Sequence, residues 1–159
     1  MVVMMDSDNP KSLNYNFHRK AGRSLIERRP AFSPDGESIA IIVENLVRVY
    51  NLHTGDCVRT LETENVINEL IAITFPTNEQ YNLYGCSDSG CVTTWTWEKG
   101  VVLREIQLKL QLNTKVLTFD LLDNNECFIT TIAPNQKHIC LHTYTLKTGE
   151  QLYMYSIKP

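Results

Sequence analysis

No stretch of this sequence approaches the roughly 20 consecutive apolar residues that a membrane-spanning helix needs, so no helical span is expected. Cysteine pairing is missing too. Cys57, Cys86, Cys91, Cys127 and Cys140 are an odd set without a Cys-x-x-Cys, which speaks against a disulfide framework and against the usual zinc spacing. Four of the five lie in apolar or β-branched surroundings and read as reduced, buried small hydrophobes, which suits a cytosolic or nuclear compartment. There is no Gly-x-Ser-x-Gly elbow and no Gly-rich loop ending in Lys-Ser/Thr, so two common signatures of nucleophile and phosphate chemistry are absent. Helical spacing does not persist over any useful length. The opening residues, 1–6, carry no cationic leader or long apolar run, so a secretory signal is not expected.

The 159 residues are 43% hydrophobic and 21% charged, enough for a packed core and too apolar for disorder throughout. The formal charge of −3 gives no global reason to bind nucleic acid. Its distribution is uneven. Lys11, Arg19, Lys20, Arg23, Arg28 and Arg29 outnumber Asp6, Asp8 and Glu27 in residues 1–30, leaving an acidic remainder. Residues 1–23 are polar and lack either periodicity, so they are expected to form a flexible arm. Arg19, Lys20, Arg23, Arg28 and Arg29 are its candidate contacts with RNA or an acidic partner, against the plainer reading of a solvated tail.

One phrase occurs three times. Val47-Arg48-Val49-Tyr50-Asn51-Leu52-His53-Thr54-Gly55 is followed by Val92-Thr93-Thr94-Trp95-Thr96-Trp97-Glu98-Lys99-Gly100 and then by His142-Thr143-Tyr144-Thr145-Leu146-Lys147-Thr148-Gly149. Its aromatic stands at positions 50, 95 and 144, that is 45 and 49 residues apart. That period fits a four-stranded propeller blade and is too long for a helical repeat of about 33 residues. Strand-like runs of five to nine residues, broken by turn residues such as Pro34-Asp35-Gly36, Asp88-Ser89-Gly90 and Asp123-Asn124-Asn125, fill each period. Residues 39–43, Ile-Ala-Ile-Ile-Val, are too apolar for a solvent-facing strand and predict a central one buried on both faces. A sandwich or single barrel would accept twelve short strands, but neither predicts the same order returning in register. The expected fold is all-β: three four-stranded antiparallel blades of an open propeller, at about 24–62, 66–108 and 114–157.

Phe32-Ser33-Pro34-Asp35-Gly36 with Ile39-Ala40 and Val47-Arg48-Val49-Tyr50-Asn51 resembles a WD repeat, Tyr50-Asn51 standing where Trp-Asp names the family. Cys86 to Thr96 resembles the same segment of a second repeat, and Ile139 to Thr145 a weaker third. The resemblance implies a buried His, Asp, Ser/Thr and Trp network in each blade. Ser87 and Trp95 match it, whereas Ser89 replaces the Asp and Glu62-Thr63-Glu64-Asn65 stands where Gly-His is expected, so apolar packing is expected to carry more of the stability. Tyr50, Asn51, Ser87, Ser89, Trp95 and Tyr144 are thus the structural blade motif.

From about Gly22 to Thr130 the order Ser24-Leu25, Arg28-Arg29, Phe32-Ser33, Val47 to Tyr50, Cys57-Val58, Tyr84 to Ser87 and Gly100 to Leu103 resembles one branch, the WD repeat-containing protein 75 family. That resemblance implies a non-catalytic scaffold of the nucleolar small-subunit processome, acting in pre-rRNA processing with support of RNA polymerase I transcription. Its partners would be other protein subunits of a pre-ribosomal complex. The alternative is an adaptor in another pathway, such as a ubiquitin-ligase substrate receptor. Such receptors carry Trp-Asp-x-Arg, and the Arg is lacking at Tyr50-Asn51-Leu52-His53 and at Trp95-Thr96-Trp97-Glu98.

Catalytic and metal readings find little footing. His138, Cys140 and His142 share one strand face, but His138 and His142 lie about 13 Å apart along an extended chain, too far for one ion. Asp35 and Asp88 read as turn residues that bond their own backbone. Trp97, Tyr81 and Tyr84 could stack on bases, yet no Lys or Arg interleaves with them, so packing is the expectation. On the three innermost strands only Glu69 and Asp120 are acidic. No cofactor, metal, small-molecule substrate or membrane is expected. Three blades are too few to close a ring, so the chain is expected to be part of a longer propeller with apolar faces left open at both ends, prone to associate.

Overall fold

The computed structural model describes residues 28–63, 68–79, 81–122, 125–132 and 139–157. The expected arm at 1–23, with Arg19, Lys20 and Arg23, lies outside them, as do the link 133–137 and His138. Among the described residues twelve strands form three separate four-stranded antiparallel sheets, each built from four strands consecutive in sequence. Blade 1 holds β1 (Ala31–Phe32), β2 (Ser38–Val43), β3 (Leu46–Asn51) and β4 (Cys57–Leu61). Blade 2 holds β5 (Leu70–Thr74), β6 (Asn82–Ser87), β7 (Cys91–Thr96) and β8 (Val101–Gln107). Blade 3 holds β9 (Lys115–Leu121), β10 (Glu126–Ile132), β11 (Ile139–Thr145) and β12 (Gln151–Ile157). No sheet closes into a barrel, and the open three-blade arrangement is the one the repeat predicts.

The register repeats with the sequence. Tyr50 pairs with Ile39, Trp95 with Leu83 and Tyr144 with Cys127, one step from the matching pairs Ser38 with Asn51, Asn82 with Thr96 and Glu126 with Thr145. In all three blades the pairing with the outer strand shifts immediately before the aromatic, between Val49 and Tyr50, Thr94 and Trp95, and Thr143 and Tyr144. A shift there bends the outer strand and raises its local twist at the same height in every blade.

The innermost strands β1, β5 and β9 are neighbours, so the blades fan outward from them. Side chains alternate between the two faces of each strand, and each face meets a different neighbour. Ala40, Ile42, Val47, Val49 and Leu61 of blade 1 pack against Leu70, Ile73, Phe75, Leu83 and Trp95 of blade 2. The opposite face of blade 2, with Ile71, Tyr84, Cys86 and Val92, packs against Val116, Phe119, Cys127, Ile129 and Tyr144 of blade 3. Each large apolar side chain buried this way contributes about 1.5–3 kcal/mol, so the two inter-blade cores hold the arc together. The apolar run of β2 is buried on both faces, Ala40 and Ile42 inward to blade 2 and Ile41 and Val43 on the other side.

Candidate interaction site

Two of the three aromatics of the repeat face the preceding blade. Trp95 is 0% exposed in the core between blades 1 and 2, and Tyr144 is buried between blades 2 and 3. Tyr50 occupies the same register position, is only half-buried, and belongs to neither core. Behind the aromatic, Asn51 Oδ1 accepts from His53 N at 2.8 Å and Thr54 N at 2.9 Å, tightening the turn. Thr145 Oγ1 does the equivalent from Lys147 N at 3.2 Å.

Ser87 and Ser89 come together. Their hydroxyls are 2.9 Å apart, and Ser87 Oγ accepts from Cys91 N at 3.0 Å. Trp95 does not join them: its indole Nε1 donates to the Glu62 carbonyl at 2.7 Å, in the residues linking blade 1 to blade 2. The backbone of the segment that replaces Gly-His therefore satisfies the buried N–H. Blade 1 uses Ser33, whose hydroxyl accepts from Ser38 N at 2.9 Å and donates to Asp35 Oδ1, and that contact lowers the Asp35 pKa from its usual carboxylate range.

Blade 3 carries a hydrogen-bonded network around His142. His142 is buried, its Nε2 2.8 Å from Thr131 Oγ1, and its Nδ1 donates to Gln151 Oε1 at 3.0 Å. The Tyr144 hydroxyl donates to the same Gln151 oxygen at 3.3 Å. Cys140 is half-buried on the same strand. Among the described residues no three His, Cys, Asp or Glu side chains converge as a metal-ligand set. Burial raises the Cys86 thiol well above its usual value and that of Cys127 to about 12, so both are neutral packing groups at neutral pH. Desolvation likewise raises the Tyr84 and Tyr144 phenols.

Two latches at the outer strands were not anticipated. Arg59 Nε donates to the Glu98 carbonyl of the next blade at 2.6 Å, and Arg104 Nη2 donates to the Lys147 carbonyl of the blade after. Both arginines stand nine residues after the repeat aromatic, an offset visible in the sequence. Tyr153 holds that offset in blade 3.

At the inner rim the acidic candidates are engaged. Glu69 Oε1 takes the Arg28 guanidinium at 2.7 Å, and Asp120 accepts from Thr74 Oγ1 at 3.1 Å, tying the innermost strands of blades 2 and 3. Arg28 is thus paired, while Arg29 is exposed beside it. Tyr84 is buried, Trp97 meets Phe75 edge-on at 6.1 Å, and Tyr81 stands 58% exposed. Tyr81 lines an open cleft of about 880 Å³ between the turns of blades 1 and 2, with Asp35, Asn78, Glu79 and Lys99. An open, mixed-polarity cleft with exposed turns around it suits contact with another macromolecule better than enclosure of a small substrate.

No protein-family model matches the chain. Among curated proteins it is similar to WD repeat-containing protein 75 of Homo sapiens, 30% identical over 91 residues, which is 57% of this chain and 11% of that protein. The Xenopus laevis protein of the same name is 26% identical over 86 residues, 54% of this chain and 10% of the relative. The Mus musculus one is 28% identical over 95 residues, 60% of this chain and 11% of the relative. Architecture and relatives together support a WD-repeat protein. The matched part of the chain spans about a tenth of the length of these relatives. In blade 2 the Ser87 hydroxyl accepts from Cys91 N and the Trp95 indole donates to a backbone carbonyl.

Proposed function

We propose that this WD-repeat chain is a non-catalytic scaffold in ribosome biogenesis, binding other protein subunits of a nucleolar pre-ribosomal particle. Pre-rRNA processing and support of RNA polymerase I transcription are the processes it serves in this reading. The observation that carries the reading is the similarity to WD repeat-containing protein 75 over 54–60% of the chain. It is strengthened by an inner rim whose Glu69 and Asp120 side chains are taken up in ties within and between blades. Residues 1–23 act as an arm ahead of the blades, and its cations, with exposed Arg29, supply any direct contact with RNA. The turns around the Tyr81 cleft are the surface offered to protein partners.

The test is to tag the protein in its own cells, locate it, and sequence the RNA and identify the proteins that co-purify. Enrichment of pre-ribosomal RNA together with processome subunits, and a nucleolar signal, are the expected results. A diffuse cytoplasmic signal with neither enrichment overturns the proposal.

A further inference from the structure

The outer strands of the three blades differ in chemistry. β4 reads Cys-Val-Arg-Thr-Leu and β8 reads Val-Val-Leu-Arg-Glu-Ile-Gln, whereas β12 reads Gln-Leu-Tyr-Met-Tyr-Ser-Ile and carries no charge. Each is the last strand of its sheet, bonded along one edge to its own blade and paired with no further strand among the described residues. Such an edge offers main-chain donors and acceptors to any second strand, and a charged side chain on it is a common guard. Arg59 stands at the middle of β4 and Arg104 at the middle of β8. Met154 takes that place in β12.

Exposure follows the same contrast. Leu152 is 40%, Tyr153 63%, Met154 51% and Tyr155 59% exposed, so both faces of this edge are apolar or aromatic. In the register with β11, Tyr153 lies beside Thr143 and Tyr155 beside Leu141 on one face, while Met154 lies beside His142 on the other. The register shift falls before Tyr153, and pairing is regular from Tyr153 to Ile157. Seven uncharged residues rich in strand formers, without Pro or Gly, make a segment suited to adding a further strand.

We propose that β12 pairs edge to edge with β12 of a second copy, antiparallel about a two-fold axis through Met154, joining the two third blades into one eight-stranded sheet. The pattern of the strand selects this occupant. In that register Met154 meets Met154, and Tyr153 of each copy lies opposite Tyr155 of the other, two aromatic cross-strand pairs on one face. Glu150 and Lys158, which flank the strand in sequence, come opposite one another with unlike charge, Glu150 also meeting Lys109 at 3.0 Å within its own chain. The same operation on β4 or β8 would set Arg59 against Arg59 or Arg104 against Arg104, which like-charge repulsion opposes. β11 holds the other edge of β12, so the contact closes at two copies. Because it uses an edge, it does not depend on what packs against the faces of blade 3. It is also independent of what the propeller binds, so its failure leaves the proposed scaffold role standing.

Light scattering coupled to size-exclusion chromatography tests this on the full chain at tens of micromolar. The expected mass is twice the 18.2 kDa chain. Met154→Lys and Met154→Glu, at an exposed position, are each expected to leave the circular dichroism spectrum unchanged. Each should raise the dimer dissociation constant about a hundredfold, since like charges then face one another at the centre of the contact. An equimolar mixture of the two variants sets Lys opposite Glu and should dimerise where neither does alone, a rescue that a folding defect would not give. A monomeric parent chain overturns the proposal. So does an open series of oligomers, a dimer indifferent to both substitutions, or a mixture that stays monomeric.

Discussion

Gly85 shows how closely a single position is fitted to the repeat aromatic. A Cβ built there would lie 2.7 Å from Cη2 and Cζ3 of Trp95, whose ring is enclosed and whose N–H is held by Glu62. Gly85→Ala is therefore expected to lower stability in urea unfolding by about 1–3 kcal/mol, the usual cost of overpacking. Cys127 makes a second prediction at this scale. Burial raises its pKa from 9.0 to about 12, so the folded state holds the proton more tightly than the unfolded chain. The stability this confers is fully present below pH 9 and is lost as pH rises toward 12, at about 1.4 kcal/mol per pH unit. Cys127→Ala should lower stability at neutral pH by opening a cavity, yet flatten that alkaline decline when urea midpoints are compared across pH. The aromatic triplet itself was legible in the sequence. The half-burial of Tyr50 was not, because how far an aromatic is covered depends on neighbours that the local pattern does not specify.

Elements were read well where an apolar run stands between turn residues, as at residues 39–43, which fall in the central strand β2 and are buried from Ala40 to Val43. The His142 network was missed because a Thr, a His and a Gln on three strands carry no local signature, and only the register brings Thr131 and Gln151 to the imidazole. Turn glycines separate into two physical cases. Gly36 has φ +74° with nothing within 4 Å of a built Cβ, while Gly149, at φ +70°, would place a Cβ 2.3 Å from the Gln107 carbonyl oxygen of the adjacent blade. Gly36→Ala should cost about 1–2 kcal/mol, the penalty of a left-handed backbone alone. Gly149→Ala should cost clearly more, since backbone must also move, and thermal melts of the two variants side by side give the comparison.

For the whole molecule, the repeat made the architecture legible, and the latches between blades were legible in principle from the shared nine-residue offset of Arg59 and Arg104. Their acceptors are main-chain carbonyls, which no residue pattern announces. Replacing both arginines with Met retains much of the stem and removes the donors, and is expected to cost about 1–3 kcal/mol in total at the two exposed latches. Because each blade touches only its neighbours, loss of one junction should broaden the unfolding transition as well as shift it, as in other stacked-repeat arrays.

Both tryptophans of the chain belong to blade 2 on the side of blade 1, Trp95 enclosed and Trp97 against Phe75. Indole emission is therefore a reporter of one junction alone. Separation of blade 3 from blade 2 would leave it dark to that signal, and the far junction would have to be followed through the phenol absorbance of Tyr144.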